Sequence, residues 1–274
     1  MPPPDNRLPT MTRRSYAAPR HSVDISEEAG VRYLHFGSEW IQGAMRIARP
    51  WSLELSYTRE MMAGLLLREA ADWPRRVLMI GLGAGSLAKF LYRHRPNCRI
   101  TVVEINPQVE FVARQYFKLP DDPRRLEVRI GCGADFMLGG DSSFDYILVD
   151  GFDADARPGA LDTLPFYLAC RARLNDDGLF CINLLGRNRG FAASVRRIEE
   201  AFAGRVAVFP SCDSGNTMAF ASPGQAVDLP LDTLRTRAAE LKKASGLDLA
   251  PTIGRLQLAY PLPDGRLRIG QNPA

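Results

Sequence analysis

Apolar positions along the chain fall into two regimes. Up to about residue 50 they come in short alternating runs. Residues 22–25 and 31–36 read as strands either side of the turn Glu28-Ala29-Gly30, and 44–47 adds another. Residues 55–69 then carry Met61, Met62, Leu65 and Leu66 at helical spacing, ended by Trp73-Pro74. From Arg76 onward, strand-length apolar runs alternate with helical stretches. Val77, Leu78, Met79 and Ile80 form an unbroken run, as in a strand buried on both faces. Similar runs fall at 100–103, 126–130, 146–149, 179–183, 206–209 and 217–221. Helices are predicted over 86–93, 107–116, a short stretch through 136, 163–174 and 191–202. Ser86 is placed to be an N-cap, and Pro107 suits a first helical turn. Asn175-Asp176-Asp177-Gly178 reads as a helix stop. Strands alternating with helices predict an α/β fold: a doubly wound, mostly parallel Rossmann-like sheet with a small N-terminal β appendage. The predicted division is 1–20 a tail, 21–54 the β appendage, 55–222 the sheet domain, and 223–274 a helix (231–245) with an irregular, Pro-containing end. No apolar run approaches the ~18 residues that a membrane span needs.

Composition narrows the functional classes. With 274 residues, 46% hydrophobic and 24% charged, the chain can bury a core without disulfide or metal staples. A net charge of +4 invites a nucleic-acid reading. Yet Arg7, Arg13, Arg14 and Arg20 against Asp5 put +3 of it in residues 1–20, which also hold five of the 20 prolines. The remainder is nearly neutral, so the charge describes a flexible basic tail rather than a folded basic face. That tail lacks the apolar core of a secretory signal. Cys98, Cys132, Cys170, Cys181 and Cys212 are odd in number and form no C-x-x-C, and His21, His35 and His94 are scattered. The pattern excludes a disulfide framework and the usual zinc spacings, and a reduced, cytoplasmic setting is expected.

Ligands of open α/β sheets sit beyond the carboxyl ends of the strands. There the sequence places Gly81-Leu82-Gly83-Ala84-Gly85. Its G-x-G-x-G spacing, not G-x-G-x-x-G, favours an S-adenosyl nucleoside over a nicotinamide dinucleotide, although a Gly-rich turn is also made for purely structural reasons. Glu104 follows Gly81 by 23 residues, at the end of the next strand, where a carboxylate can accept from a ribose diol. Asp135, after the third strand, either accepts from an adenine amino group or caps the following helix. Asp150, Asp153 and Asp155 crowd three carboxylates into six residues after the fourth strand. Such a cluster is costly without a cation, and a diamine or a sulfonium would supply one. A carboxylate there can also hold and deprotonate an amine. The alternative is an ordinary Asp-rich turn. Asp150 ends a wholly apolar strand, which favours the functional reading.

These residues resemble the spermidine synthase (polyamine aminopropyltransferase) family over about residues 30–222. The resemblance is carried by Gln42, Tyr57, Gly81–Gly85, Val103-Glu104, Asp121-Asp122-Pro123-Arg124, and Asp150-x-x-Asp153 followed by Phe166-Tyr167. It implies a class I methyltransferase-like fold and aminopropyl transfer from decarboxylated S-adenosylmethionine to putrescine or a similar amine, releasing methylthioadenosine. It further implies Asp150 as the catalytic acid/base together with Asp153. Tyr57, Asp153 and Asp155 would hold the amine. Gln42, Gly81, Gly83, Gly85 and Glu104 would stand on the nucleoside side, where Asp135, three residues beyond the position of the family's acid, is a candidate from its place after the third strand. No metal is implied, and the assembly would be a homodimer or homotetramer, with neither nucleic acid nor membrane as partner.

The departures are local. The family's G-G-G-D-G acid is Ala84, and its G-D pair after the third strand is Gly131-Cys132. Tyr-His-Glu has become Tyr57-Thr58-Arg59-Glu60, and an Arg at 59 would repel a polyamine and attract a carboxylate. The D-S-x-D-P loop reads Asp150-Gly151-Phe152-Asp153-Ala154. Ala84 and Arg59 favour an alternative, a transferase or methyltransferase using intact S-adenosylmethionine. A catalytically inactive nucleoside-binding homologue is the further alternative.

Overall fold

The computed structural model describes residues 22–37, 41–70, 72–152, 159–186, 190–212, 215–260 and 262–270. The basic tail, Asp153 and Asp155 lie outside the described residues.

Strands β1 (Val23–Glu28), β2 (Val31–Phe36) and β3 (Ile41–Arg46) form an antiparallel meander. β3 starts earlier than the apolar pattern suggests: Ile41 and Gly43 pair with His35 and Leu34, and Gln42 is the extra residue of a bulge between them. The helix expected over 55–69 is two pieces. α1 (Ser56–Met61) gives way to a 3₁₀ turn at Met62–Leu66. The cause is tertiary: the Tyr146 hydroxyl donates to the Met61 carbonyl. It does so beside Gly64, where a Cβ would stand 2.3 Å from that hydroxyl.

The central unit alternates β4 (Arg76–Ile80), α2 (Ser86–His94), β5 (Arg99–Glu104), α3 (Pro107–Phe117), β6 (Leu126–Ile130), α4 (Gly133–Leu138), β7 (Phe144–Val149), α5 (Leu164–Ala172), β8 (Leu174–Leu185), α6 (Phe191–Ala201), β9 (Val206–Val208) and β10 (Asn216–Ala221). The strands lie in the order β6-β5-β4-β7-β8-β10-β9. The first five run parallel, and β10 runs antiparallel to both neighbours. This is the doubly wound, mostly parallel sheet that the strand–helix alternation predicts. Successive residues of β4 face opposite layers. Val77 and Met79 join one apolar cluster, and Leu78 and Ile80 join another beneath α5 and α6.

Two local expectations are corrected. Ser86 is the first residue of α2 rather than its N-cap; Gly85 takes that place with a left-handed φ of 67°, and the Ser86 hydroxyl donates to the Ala44 carbonyl of β3. The stretch at 175–178 does not separate helix from strand, because β8 already begins at Leu174.

The C-terminal end is also more regular than its sequence suggests. β11 (Val227–Pro230) pairs antiparallel with β12 (Arg266–Ile269), and between them lie α7 (Leu231–Ser245) and α8 (Ala250–Ala259). Leu234, Leu241, Leu249, Ile253 and Leu256 are buried in the same cluster as Val77 and Met79.

Candidate active site

The turn after β4 is glycine for two reasons. Gly81, Gly83 and Gly85 hold φ of 96°, 51° and 67°, which side-chain-bearing residues avoid. At Gly81 a Cβ would also stand 2.2 Å from the Asp150 carbonyl oxygen. The ends of β4 and β7 therefore close on each other, with the Asp150 N–H donating to the Ile80 carbonyl at 2.9 Å. From the other side β3 lies across the loop. A Cβ at Gly43 would stand 2.6 Å from that of Ala84, whose own side chain is 2% exposed. Gln42, half-buried on β3, thus borders the same pocket as Tyr57, Gly81, Ala84 and Asp150.

Glu104 ends β5 at 7% exposure. Its two carboxylate oxygens accept the Leu82 and Asn106 N–H groups, each at 2.9 Å. Burial pushes its carboxyl up, and the backbone N–H donors oppose that shift. Each oxygen keeps accepting capacity, so the group that braces the glycine loop can also receive a diol. Asp135 is exposed in the first turn of α4. It does not cap that helix: Cys132 is the N-cap, without a side-chain hydrogen bond.

Asp150 is half-buried at the end of β7. Val149 pairs with Ile182 of β8, which sets Asn183 beside Asp150. The Asn183 amide donates to Asp150 Oδ1 at 2.9 Å, and the Tyr57 hydroxyl of α1 hydrogen-bonds to the same carboxylate. Burial raises the Asp150 pKa, while both hydrogen bonds draw it back. Burial, then the Asp150 charge, pushes the Tyr57 phenol well up. Asn183 is 4% exposed, and its Oδ1 has no hydrogen-bond partner among the described residues. Asn183 stands behind Asp150 and is not part of the pocket wall that Tyr57 and Asp150 border. Asn183 is absent from the residues singled out by sequence. Its one signal is a polar side chain within the apolar run from Phe180 to Leu185.

Of the residues singled out, Gln42, Tyr57, Gly81, Gly83, Gly85, Glu104 and Asp150 converge on the C-terminal edge of β4, β5 and β7. Asp135 stands on the same edge, exposed. Arg59 does not reach the pocket. Its guanidinium donates to the Leu53 and Glu54 carbonyls at 2.9 and 2.7 Å, so it is already engaged by the segment preceding α1. Among the described residues, no cluster of His, Cys, Asp and Glu is arranged to hold a metal.

Three comparisons with known proteins bear on this arrangement. The family model described as spermine/spermidine synthase domain matches residues 54–186. A polyamine aminopropyltransferase of Neisseria meningitidis serogroup A is 36% identical over 239 residues, covering 87% of this chain and 90% of the relative. One from Chromobacterium violaceum is 37% identical over 247 residues, covering 90% and 94%. Among solved structures, human methyltransferase-like protein 13 in complex with SAH superposes with a TM-score of 0.63 at 27% identity, covering 70% of this chain and 93% of that one.

Proposed function

The chain belongs to the spermine/spermidine synthase family, and from that premise we propose that it transfers an aminopropyl group from decarboxylated S-adenosylmethionine to putrescine or a related amine. The observation that carries this reading at the site is the Asp150 carboxylate on the pocket wall, held by the Asn183 amide and the Tyr57 hydroxyl. A half-buried carboxylate matches an ammonium, which is all donor.

Asp150 takes the proton that the amine must lose before its lone pair attacks. Burial raises the proton affinity of its carboxylate toward that task. Tyr57 and Asn183 hold the carboxylate in place, so the base is aligned before the substrate arrives. The co-substrate supplies a sulfonium leaving group: as the new C–N bond forms, the C–S bond breaks and its electron pair returns to sulfur. Glu104 receives the ribose diol. Gln42, Gly81, Gly83, Gly85 and Asp135 line the nucleoside side. Asp153 and Asp155 bind the amine, with Asp153 sharing the catalytic role. The structural fit lies in the Gly81 cradle and in the residual accepting capacity of Glu104.

The test incubates the purified chain with decarboxylated S-adenosylmethionine and a panel of diamines. Mass spectrometry should find methylthioadenosine together with a lengthened amine. Asp150→Asn should lower kcat by about 10²–10⁴-fold with nucleoside binding nearly intact. Absence of both products with every amine would overturn the reading. A second reading, transfer from intact S-adenosylmethionine, is favoured by Ala84, which puts a methyl where the resemblance expects an acid. Parallel calorimetry with both donors and methylthioadenosine separates the two. The homodimer or homotetramer is likewise proposed, and light scattering tests it. Among the described residues no helix is long and apolar enough to cross a membrane; a cytoplasmic location is proposed.

A further inference from the structure

α1 carries Tyr57 to Asp150, yet it has only six residues and no side-chain cap at Leu55. So short a helix has little stability of its own and must be held by its surroundings. One turn after Tyr57, Glu60 is 1% exposed. A carboxylate so deep is costly unless a cation meets it. The cation comes from the far end of the chain: Arg255 of α8 forms an ion pair with Glu60 Oε1. Thr252, one turn earlier on α8, donates to the same oxygen at 3.5 Å, and Arg255 reaches the Thr252 hydroxyl at 3.4 Å. Glu60 Oε2 and Arg255 Nε have no hydrogen-bond partner among the described residues. The pair therefore has few neighbours to share its charges, and without Arg255, itself 29% exposed, Glu60 would be left uncompensated in the interior.

We propose that Arg255 is a positioning residue of the active site, neutralising Glu60 and thereby fixing the short helix from which Tyr57 reaches Asp150. Thr252 assists by directing the carboxylate. The C-terminal segment thus takes part in the site without touching the substrate. The inference rests on the catalytic reading of Asp150 and Tyr57, but its physical core, the placement of Tyr57, is measurable without any turnover.

The test uses the full chain in three forms: wild type, Arg255→Met, and Arg255→Met combined with Glu60→Gln. Arg255→Met keeps the aliphatic stem and removes the charge. The double variant removes both charges and keeps the shapes. Tyrosine labelled at Cζ with ¹³C, assigned through Tyr57→Phe, reports on the Tyr57 hydroxyl by NMR whether or not transfer is detected. A failed aminopropyl assay and a failed inference are therefore distinct results. The Tyr57 signal should move or broaden in Arg255→Met and return to its wild-type position in the double variant. With activity in hand, kcat should fall about ten- to a hundredfold in Arg255→Met and recover in the double variant, while methylthioadenosine affinity stays within about twofold. In a Tyr57→Phe background Arg255→Met should cost little more. An unmoved Tyr57 signal in Arg255→Met would overturn the proposal. So would equal losses in single and double variants, or a loss undiminished in the Tyr57→Phe background. Should Arg255→Met not fold, the double variant decides: a folded chain with the wild-type Tyr57 signal supports the proposal, and a misfolded one or a shifted signal refutes it.

Discussion

Asn183 opposes the effect of burial on the proton affinity of Asp150, and its contribution has a definite sign. Its hydrogen bond lowers an Asp150 pKa that burial has raised. Asn183→Ala removes the lowering influence, so Asp150 binds its proton more tightly and loses the base form at a higher pH. The acidic limb of a kcat/KM profile should therefore move to higher pH in Asn183→Ala; a limb that stays put, or moves down, contradicts the assignment. Glu104→Ala should weaken methylthioadenosine binding by about 1–3 kcal/mol, the scale for a lost charged hydrogen bond. The same change frees the Leu82 and Asn106 N–H groups, so calorimetry should show a less favourable enthalpy as well as lower affinity. At this scale the sequence is legible where chemistry coincides with a strand end. Asp150, Glu104 and the three glycines all sit there. Asn183 lies within a strand, and its meaning appears only once β7 and β8 pair. Arg59 was misleading for the opposite reason: nothing in its sequence position reveals that two carbonyls of the preceding segment already hold it.

Elements defined by their own periodicity were readable, and those shaped by a neighbour were not. The inner strands β4 and β7 carry unbroken apolar runs at 77–80 and 146–149 because both faces are covered, and the prediction from those runs holds. The helix over 55–69 is broken by a residue 85 positions away from Met61, the Tyr146 hydroxyl. Tyr146→Phe removes the donor yet keeps the ring packed on Trp73. It should cost about 1–2 kcal/mol in urea unfolding. Should the variant be as stable as the wild type, the break in α1 would need another cause. β12 and α8 were missed for a related reason. Their apolar positions are sparse, and β12 acquires a partner only when β11 is brought alongside by the helices between them.

At the scale of the molecule, the C-terminal helices and β4 share one apolar cluster. Leu249, fully buried there, should cost about 2–5 kcal/mol when changed to Ala. Tryptophan fluorescence and far-UV circular dichroism should follow one transition in wild type and variant alike; two separated transitions would mean that the C-terminal segment melts independently. The β appendage is joined just as closely, through Gly43 on Ala84 and Ser86 on Ala44. The ion pair between Glu60 and Arg255 spans 195 positions of sequence. That span has a consequence for biosynthesis. The ribosome delivers the glycine loop, Glu104, Asp150 and Asn183 long before it delivers Arg255. A nascent chain can therefore assemble a nucleoside cradle early, but Glu60 stays without its counter-ion until α8 has left the exit tunnel. On this account α8 acts as a completion signal for the site, and catalytic competence arrives only once Arg255 has been made and folded.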